Sequence, residues 1–252
     1  MDSIHSKNKK PIKFVKRHDT EHPYCTNWPM SEKDTKRFVE IADCEFGSSL
    51  FTMGKEFNNV CQRIKFAKWN YLKWKDLTLM KDPMSLSIYL QLLQDLKPKT
   101  ILEFGTYEGG SALWMHDLMI SLNLECKIHT FDINSEKVRL PNLESLIFHH
   151  LDNLHIIEYV KENYKLFSSL ERPVLVIEDS HINVIELLQT IDSFIDTGDY
   201  LVVEDTLELS KYREMESFLS GHDYLVDRYY CDFWGDNFSW NVNSFLKKIN
   251  TS

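Results

Sequence analysis

Four apolar stretches of this sequence end in acidic residues. Glu103 ends TILE, Asp132 ends KIHTFD, Asp179 ends PVLVIED, and Glu204 and Asp205 end YLVVED. In open α/β folds the carboxyl ends of parallel strands meet at one edge of the sheet, and ligands bind outside that edge. If these stretches are parallel strands, their carboxylates lie together and form one candidate site.

The first stretch runs into a glycine-rich turn, EFGTYEGGS. The turn contains Gly105, Gly109 and Gly110, three of the eight glycines in the chain. A strand that turns through glycines into a helix brings backbone N–H groups and a helix N-terminus close to a nucleotide-like ligand. The dinucleotide fingerprint G-x-G-x-x-G does not fit, because Tyr107 stands where its second glycine would be. A tight turn without any ligand is the alternative.

Three acidic residues bear on a nucleoside. Asp132 lies 29 residues after Glu103, at the end of the next predicted strand. An acidic residue in that place of a βαβ unit accepts hydrogen bonds from ribose hydroxyls. Glu103 suits a sugar hydroxyl or an amino-acid head group. Asp152 follows a third predicted strand, where it could border an adenine or begin a helix.

The remaining strand-end acids predict a metal ion. Asp179, Glu204 and Asp205 would repel one another and raise each other's pKa values if no cation lay between them. Ligation by oxygen atoms with open positions suits Mg²⁺. The alternative is that some of these acids cap helices or face water.

One histidine lies beside the predicted metal site. His181 follows Asp179 by two residues, on the loop that leaves the strand. It is a candidate general base, because its ordinary pKa lies in the useful range. A structural role is the alternative, as it is for most single histidines. Asp179 and His181 are therefore the candidate catalytic residues.

The charge of the chain limits the partners we expect. Its 252 residues carry a net charge of −9, which argues against a nucleic-acid-binding surface. Residues 1–18 are basic and are interpreted as a solvated tail, with a mitochondrial presequence as the alternative. No apolar run reaches the roughly 18 residues of a membrane span, and no apolar signal region follows the N-terminus. The five cysteines are scattered without C-x-x-C spacing, so we expect a reducing compartment, the cytoplasm, and no thiolate metal site.

The order of the predicted elements indicates the fold. Strands and helices alternate after residue 82, which predicts an α/β fold: a Rossmann-like, doubly wound, mostly parallel sheet. In MSLSIYLQLLQDLKP, a helical stripe is predicted from Leu86, Tyr89, Leu90 and Leu93, and Pro98 ends it. The sequence divides into an N-terminal helical or irregular extension (1–60) and a catalytic domain (61–252).

Two aromatic-rich segments lie outside this pattern. Residues 57–75 mix aromatic and basic side chains, which indicates a lid or helix packing more than nucleic-acid stacking. Near the C-terminus, Phe233, Trp234, Phe238 and Trp240 could wall a pocket for an apolar or cyclic acceptor. Plain packing of a core and loop explains these four residues nearly as well.

These motifs together resemble a known family. The ordered set LKWKDLTLMKDPMSLSIYLQLLQDLKPKTILEFGTYEGGSALW, IHTFDI, VIEDSH, YLVVED and GDNFSWNVNSFLKK is similar to the cephalosporin hydroxylase and macrolide rhamnosyl O-methyltransferase family, a class I methyltransferase lineage. The resemblance covers roughly residues 66–249. Val242 stands where the family usually has Pro, and Ser244 where it often has Gly, which leaves the acceptor pocket in question.

The resemblance implies S-adenosylmethionine and Mg²⁺ as cofactors. It assigns the cofactor to Glu103, Gly105, Thr106, Asp132 and the turn formed by Gly109, Gly110 and Ser111. It assigns the metal to Asp179, Glu204 and Asp205.

The leading hypothesis is an O-methyltransferase that acts on a hydroxyl or carboxylate of a small-molecule acceptor, with His181 assisting proton removal. The alternatives are an N-methyltransferase for a small amine, an NAD(P)-dependent oxidoreductase, and an inactive binding protein on the same fold. Neither the acceptor nor the formation of a homo-oligomer can be read from the sequence.

Overall fold

The computed structural model describes residues 37–49 and 72–250. The basic segment 1–18, the segment 57–71 of the aromatic and basic stretch, and most of the predicted extension lie outside the described residues. Among the helices within these ranges, none combines the length and the apolar character that a bilayer crossing requires.

The first described elements precede the main alternation of strands and helices. They are β1 (Phe38–Val39), a 3₁₀ turn (Ile41–Asp43), the hairpin strands β2 (Leu72–Trp74) and β3 (Leu77–Leu79), and the helix α1 (Pro83–Leu96). β1 belongs to the stretch that the sequence assigns to the extension, yet it pairs with the main sheet.

Strands and helices then alternate as predicted, except that β6 follows β5 with no helix between them and that two helices precede β7. The elements in chain order are β4 (Thr100–Phe104), α2 (Gly110–Ser121), β5 (Lys127–Asp132), β6 (Leu146–His150), α3 (Ile156–Glu162), α4 (Tyr164–Ser168), β7 (Val174–Glu178), α5 (Val184–Asp192), β8 (Tyr200–Val203), α6 (Leu209–Leu219), β9 (Tyr224–Asp227), α7 (Arg228–Cys231) and β10 (Phe245–Lys248).

The main sheet has eight strands in the order β1-β9-β10-β8-β7-β4-β5-β6. The five strands β8, β7, β4, β5 and β6 pair in parallel, whereas β10, β9 and β1 add an antiparallel edge. The predicted doubly wound, mostly parallel sheet is therefore confirmed. From β4 the chain proceeds outward to β5 and β6, and it then returns to place β7 on the other side of β4. This change of direction creates a topological switch point between β4 and β7, where ligands bind in such sheets.

The central strands are apolar because both of their faces are covered. Every residue of β4, β7 and β8 is buried. Such strands read as continuous apolar runs and not as alternating patterns. Their carboxyl ends are therefore the first places where polar side chains can reach solvent or a ligand.

Helix α1 is correctly predicted in extent, but the predicted stripe is partly wrong. Asp82 caps it by accepting hydrogen bonds from the backbone N–H groups of Met84 and Ser85. The buried face consists of Ser85, Ile88, Tyr89, Leu92 and Leu93. Leu90, which the stripe includes, is 38% exposed. The buried face therefore includes Ser85, Ile88 and Leu92 in place of Leu86 and Leu90.

Candidate active site

A cavity of about 340 Å³ opens at the switch point. Its lining includes seven of the predicted site residues: Gly105, Thr106, Ser111, Asp132, Asp179, His181 and Asp205. The predicted residues that do not line it are Glu103, Gly109, Gly110 and Glu204. Most of the predicted residues therefore meet at one cavity, the candidate site, and the other four do not line it.

The glycines let backbone segments approach one another closely. Gly105 has a φ of 114°, and a Cβ atom there would lie 2.5 Å from the backbone oxygen of Asp179. A Cβ at Gly110 would lie 2.1 Å from the backbone oxygen of Thr78 in the β2–β3 hairpin. At Gly109, where φ is 95°, it would meet the side chain of Leu140. The missing side chain at Gly105 thus lets the ends of β4 and β7 lie close together. At Gly109 and Gly110 it leaves room for Leu140 and for the β2–β3 hairpin.

Glu103 is buried behind the glycine turn. Its carboxylate accepts hydrogen bonds from the hydroxyls of Ser111 and Thr130, the latter at 2.6 Å. The hydroxyl of Thr130 in turn lies 2.6 Å from that of Thr106. Burial raises the pKa of Glu103 to about 7, although Lys81 and the two hydroxyls oppose this shift. Glu103 therefore orients Ser111 and Thr106, which do line the cavity, and does not face a ligand itself.

Asp132 extends from the end of β5 into the same cavity. Its two oxygens accept hydrogen bonds from the backbone N–H groups of Tyr107 and Asn134, each at 2.8 Å. Each carboxylate oxygen can accept a further hydrogen bond. The arrangement fixes the carboxylate in place and leaves lone pairs that could accept hydrogen bonds from a diol; the ribose contact stays a prediction.

Asp179, His181 and Asp205 form a cluster on the opposite side of the cavity. One ligand atom from each lies within 4.8 Å of the others. Nε2 of His181 is 3.5 Å from an oxygen of Asp179 and 3.4 Å from an oxygen of Asp205. The two carboxylates suit a divalent cation such as Mg²⁺, and the imidazole of His181 lies beside them.

The other ring nitrogen of His181 faces a buried ion pair. Lys211 places its ammonium 3.3 Å from Nδ1 of His181 and 2.7 Å from the carboxylate of Glu178. Glu178 also accepts a hydrogen bond from the backbone N–H of His181 at 3.0 Å. An ammonium can only donate, so this contact places the proton of neutral His181 on Nε2, facing the carboxylates.

Lys81 is a site residue that the sequence did not predict. Its ammonium is buried in the cavity wall, 2.8 Å from Asp179 and 2.8 Å from Glu204. Burial disfavours its charge, yet Asp179 and Glu204 outweigh that cost and raise the pKa of Lys81 above its usual value. Burial likewise works against the ionised form of Asp179, but Lys81 and His181 hold the pKa of Asp179 below its usual range.

The surroundings of Glu204 are not those expected of an open metal ligand. It is 4% exposed, it accepts a hydrogen bond from the hydroxyl of Tyr89 at 2.5 Å, and its other oxygen contacts Lys81. Burial raises the pKa of Glu204. The expected repulsion among the three acids is therefore relieved in part by an ammonium group, and the structure brings His181, not Glu204, together with Asp179 and Asp205.

The two remaining predictions concern the cavity wall. None of the four C-terminal aromatic residues lines the cavity: Phe238 is buried elsewhere, and Trp234 is 51% exposed. Asp152 accepts a hydrogen bond from the backbone N–H of Leu154 at the start of a 3₁₀ turn, which confirms the capping role, and it also lines the cavity, so its place beside an adenine stays a prediction.

Comparison with known proteins gives the family. Residues 67–218 match the family described as Rhamnosyl O-methyltransferase/CmcI. A protein named rhamnosyl O-methyltransferase from Mycobacterium leprae is 25% identical over 203 residues, which cover 71% of this chain and 83% of that protein. One of the same name from Mycobacterium bovis is 26% identical over 189 residues, which cover 68% and 74%.

Solved structures of CmcI share the fold. The form with Mg and S-adenosylmethionine is 23% identical, covers 71% of this chain and 77% of its own, and gives a TM-score of 0.60. The apo form is 20% identical, covers 86% and 93%, and gives a TM-score of 0.61. The matched residues 67–218 make up more than half of this chain, so the chain belongs to the Rhamnosyl O-methyltransferase/CmcI family.

Proposed function

We propose that this chain is an S-adenosylmethionine-dependent, Mg²⁺-assisted O-methyltransferase with a small-molecule acceptor. One observation carries the proposal: a single cavity has a nucleoside-type half at Gly105 and Asp132 and a cation-type half at Asp179 and Asp205. Methyl transfer needs these two halves side by side, because the acceptor oxygen must be held in line with the methyl group.

The nucleoside half holds the methyl donor. Asp132 accepts hydrogen bonds from the ribose hydroxyls, while Thr106, Ser111 and the backbone at Gly105 surround the rest of the donor. Glu103 holds the hydroxyl of Ser111 directly and that of Thr106 through the hydroxyl of Thr130. S-adenosylmethionine supplies the electrophilic methyl group.

The cation half activates the acceptor. Asp179 and Asp205 hold Mg²⁺, an ion that in proteins is commonly bound by one or two carboxylates together with waters and substrate oxygens. The bound ion supplies Lewis acidity, which lowers the pKa of the acceptor hydroxyl. His181 receives the acceptor proton at the ring nitrogen that carries none. In this structure that nitrogen is Nδ1, which faces Lys211, so the ring turns to present Nδ1 to the acceptor and becomes an imidazolium that keeps its first proton on Nε2.

The rim of the cavity indicates the kind of acceptor. Four large apolar side chains line the cavity and remain exposed: Met80, Tyr107, Ile133 and Ile182. An acceptor that carries its hydroxyl on a partly apolar ring or chain would cover them. This agrees with the names of the curated relatives, which specify a rhamnosyl group. We place the reaction in the cytoplasm, because the three cysteines in the described part of the chain, Cys44, Cys126 and Cys231, are free thiols.

Calorimetry with S-adenosylmethionine tests the donor half. We expect binding by the wild-type protein, and loss of that binding in Asp132→Ala. Asp196→Ala is the control and should keep the wild-type affinity, since Asp196 is an exposed carboxylate that does not line the cavity. Thermal-shift measurements with NAD(P)H should give no stabilisation. Stabilisation by NAD(P)H without binding of S-adenosylmethionine would favour the oxidoreductase alternative and contradict the proposed methyl transfer.

An acceptor screen tests the cation half. The screen incubates the protein with S-adenosylmethionine, Mg²⁺ and a panel of sugar and cyclic alcohols, and mass spectrometry then detects the gain of one CH₂ unit. We expect EDTA to abolish this gain for hydroxyl acceptors. Product that forms equally well in EDTA, on amines, would favour the N-methyltransferase alternative.

A further inference from the structure

The glycine turn lies between two other segments of the chain. A Cβ at Gly110 would meet the backbone oxygen of Thr78 in the β2–β3 hairpin, and a Cβ at Gly109 would meet the side chain of Leu140. The hairpin therefore packs on one side of the turn, and the loop between β5 and β6 packs on the other. Neither Thr78 nor Leu140 pairs with the main sheet, so contacts with the turn contribute to the placement of both segments.

Glu108 joins the two segments through one carboxylate oxygen. Its Oε2 accepts a hydrogen bond from the backbone N–H of Thr78 at 2.9 Å and another from the guanidinium of Arg139. Its backbone oxygen accepts a third from the backbone N–H of Arg139 at 3.1 Å. Burial disfavours the charge of Glu108, but the hydrogen bonds from Thr78 and Arg139 outweigh it and lower the pKa of Glu108. Together these three hydrogen bonds form a clamp across the turn.

The clamped segments carry the walls of the donor half of the cavity. Thr78 and Met80 line it from the hairpin, and Ile133 lines it from the start of the loop between β5 and β6. Tyr107, the neighbour of Glu108, lines it between them. Glu108 itself does not line the cavity, so it acts on a ligand only through the segments that it holds.

A second contact attaches the hairpin at its other end. Asp117 of α2 accepts a hydrogen bond from Nε1 of Trp74 at 2.6 Å and forms an ion pair with Lys75 at 2.8 Å. Trp74 and Lys75 lie at the tip of the hairpin, whereas Thr78 lies at the cavity. Loss of the clamp would therefore free the cavity end of the hairpin without detaching its tip from α2.

We propose that Glu108 is a positioning residue for the methyl donor: it holds the hairpin and the β5–β6 loop on either side of the glycine turn, and it thereby slows the dissociation of S-adenosylmethionine. This inference rests on the donor half of the proposed function. Walls that are in place before a ligand binds raise its affinity, because binding then costs less ordering of the protein. Glu108 supplies this preorganisation from outside the cavity.

Replacement of Glu108 gives the test. Glu108→Ala removes both side-chain contacts, so we expect about tenfold weaker binding of S-adenosylmethionine by calorimetry and faster dissociation in stopped-flow measurements. Mg²⁺ binding should not change, because Asp179 and Asp205 lie on the opposite side of the cavity. Glu108→Gln keeps an oxygen that can accept from the N–H of Thr78 and should recover most of the lost affinity. Wild-type affinity in Glu108→Ala overturns the proposal.

The matched control is Asp117→Ala. It removes the other attachment of the hairpin, and Asp117 does not line the cavity. This variant should lose unfolding free energy in urea but keep the wild-type affinity for S-adenosylmethionine. Equal weakening of donor binding by Asp117→Ala and Glu108→Ala would mean that any loosening of the hairpin lowers the affinity, which overturns the specific role of the clamp.

Amide hydrogen exchange of the wild-type protein, measured by NMR, covers the case in which Glu108→Ala does not fold. The backbone N–H of Arg139 donates to Glu108, yet Arg139 does not line the cavity. Its exchange should slow when S-adenosylmethionine binds, because a bound donor keeps the clamp closed. Binding without any slowing at Arg139 overturns the inference but not the proposed function. If the wild-type protein binds no S-adenosylmethionine, the donor site fails and the inference fails with it.

Discussion

The side-chain carbonyl of Asn241 accepts a hydrogen bond from the backbone N–H of Asp205 at 3.0 Å. Asp205 has a φ of 59°, a left-handed conformation that non-glycine residues seldom adopt. Asn241 is 1% exposed and lies 36 residues further along the chain, in the loop before β10. Asn241 therefore helps to hold Asp205 in the conformation that turns its carboxylate toward Asp179 and His181.

Asn241→Ala should weaken Mg²⁺ binding while leaving S-adenosylmethionine binding unchanged. The substitution leaves a buried N–H without its acceptor, which costs about 1–3 kcal/mol of unfolding free energy. Calorimetry with each ligand separates the two effects.

The control for this prediction is Asn237→Ala. Asn237 accepts a hydrogen bond from the backbone N–H of Asn243 at 2.9 Å in the same buried loop. It should lose stability with no change in Mg²⁺ affinity. Wild-type Mg²⁺ affinity in Asn241→Ala would show that Asp205 does not depend on this contact.

Gly110→Ala should destabilise the protein and weaken binding of S-adenosylmethionine. The new Cβ would lie 2.1 Å from the backbone oxygen of Thr78, so the hairpin must move. Overpacking of this kind costs about 1–3 kcal/mol. The hairpin leads directly into Met80 and Lys81, which line the cavity, so its displacement changes the site as well. Urea unfolding and calorimetry measure the two effects.

Gly221→Ala is the matched control for Gly110→Ala. A Cβ at Gly221 meets no atom within 4 Å. Its unfolding free energy and its ligand affinity should stay close to the wild-type values. A Gly110→Ala variant as stable as Gly221→Ala would mean that the hairpin can move without lowering the unfolding free energy.

The location of the site could be predicted from the sequence because strand ends have a local signature. An apolar run that stops at an acidic residue marks both a buried strand and its carboxyl end, and this placed Asp132, Asp179 and Asp205 correctly at one edge. The same pattern does not show where a side chain points. Glu103 and Glu204 also end strands, but their partners, Ser111 and Tyr89, turn them away from the cavity.

Lys81 could not be predicted in this way. Its local sequence, MKDP, indicates only a helix start at Asp82 and Pro83. Its partners lie 98 residues away at Asp179 and further still at Glu204, and only the folded sheet brings them together. A count of charges at the predicted site was the one available signal, since a group of buried acids requires cations of some kind.

Glu103→Gln should change the pH dependence of stability. The pKa of Glu103 is raised to about 7 by burial, above the ordinary value of 4.5, so the folded protein retains this proton after the unfolded chain has lost it. The unfolding free energy therefore falls as pH rises from about 4.5 to about 7, by about 3 kcal/mol from this group. Glu103→Gln cannot lose a proton, so this fall should be absent in urea titrations across that range.

Glu136→Gln is the control for the carboxyl titration. Glu136 is exposed, and its replacement should leave the pH dependence of the wild type unchanged. If Glu103→Gln shows the same decline as the wild type, the buried carboxyl does not hold its proton.

The histidine pair on β5 and β6 should lower the unfolding free energy as pH falls, which is the opposite of the pH dependence expected from Glu103. Nδ1 of His129 lies 2.9 Å from Nε2 of His149, and burial lowers the pKa of each to about 4. Between pH 6.5 and pH 4 both histidines are protonated in the unfolded chain but stay neutral in the folded protein. Stability therefore falls as pH drops from about 6.5 to about 4, by up to about 1.4 kcal/mol per pH unit for each proton.

His149→Phe tests this acid decline. The ring of His149 stacks on Phe131 at 4.7 Å, so phenylalanine fits the site, although it loses the hydrogen bonds to His129 and to Tyr159. We expect lower stability at neutral pH and a shallower decline on acidification. His155→Gln, at an exposed position, should keep the wild-type slope. An unchanged slope in His149→Phe would contradict the prediction.

His181→Asn should lower turnover without loss of either cofactor. A general base contributes about 10²–10⁴-fold to a rate, and asparagine cannot take up the acceptor proton. The ring lies on the cation side of the cavity, so the affinity for S-adenosylmethionine should not change. Mg²⁺ affinity should stay within a few fold, because Asp179 and Asp205 remain. His150→Gln, an exposed histidine at the end of β6, is the control with wild-type turnover. If His181→Asn loses Mg²⁺ affinity and turnover in equal measure, His181 is a metal ligand and not the base.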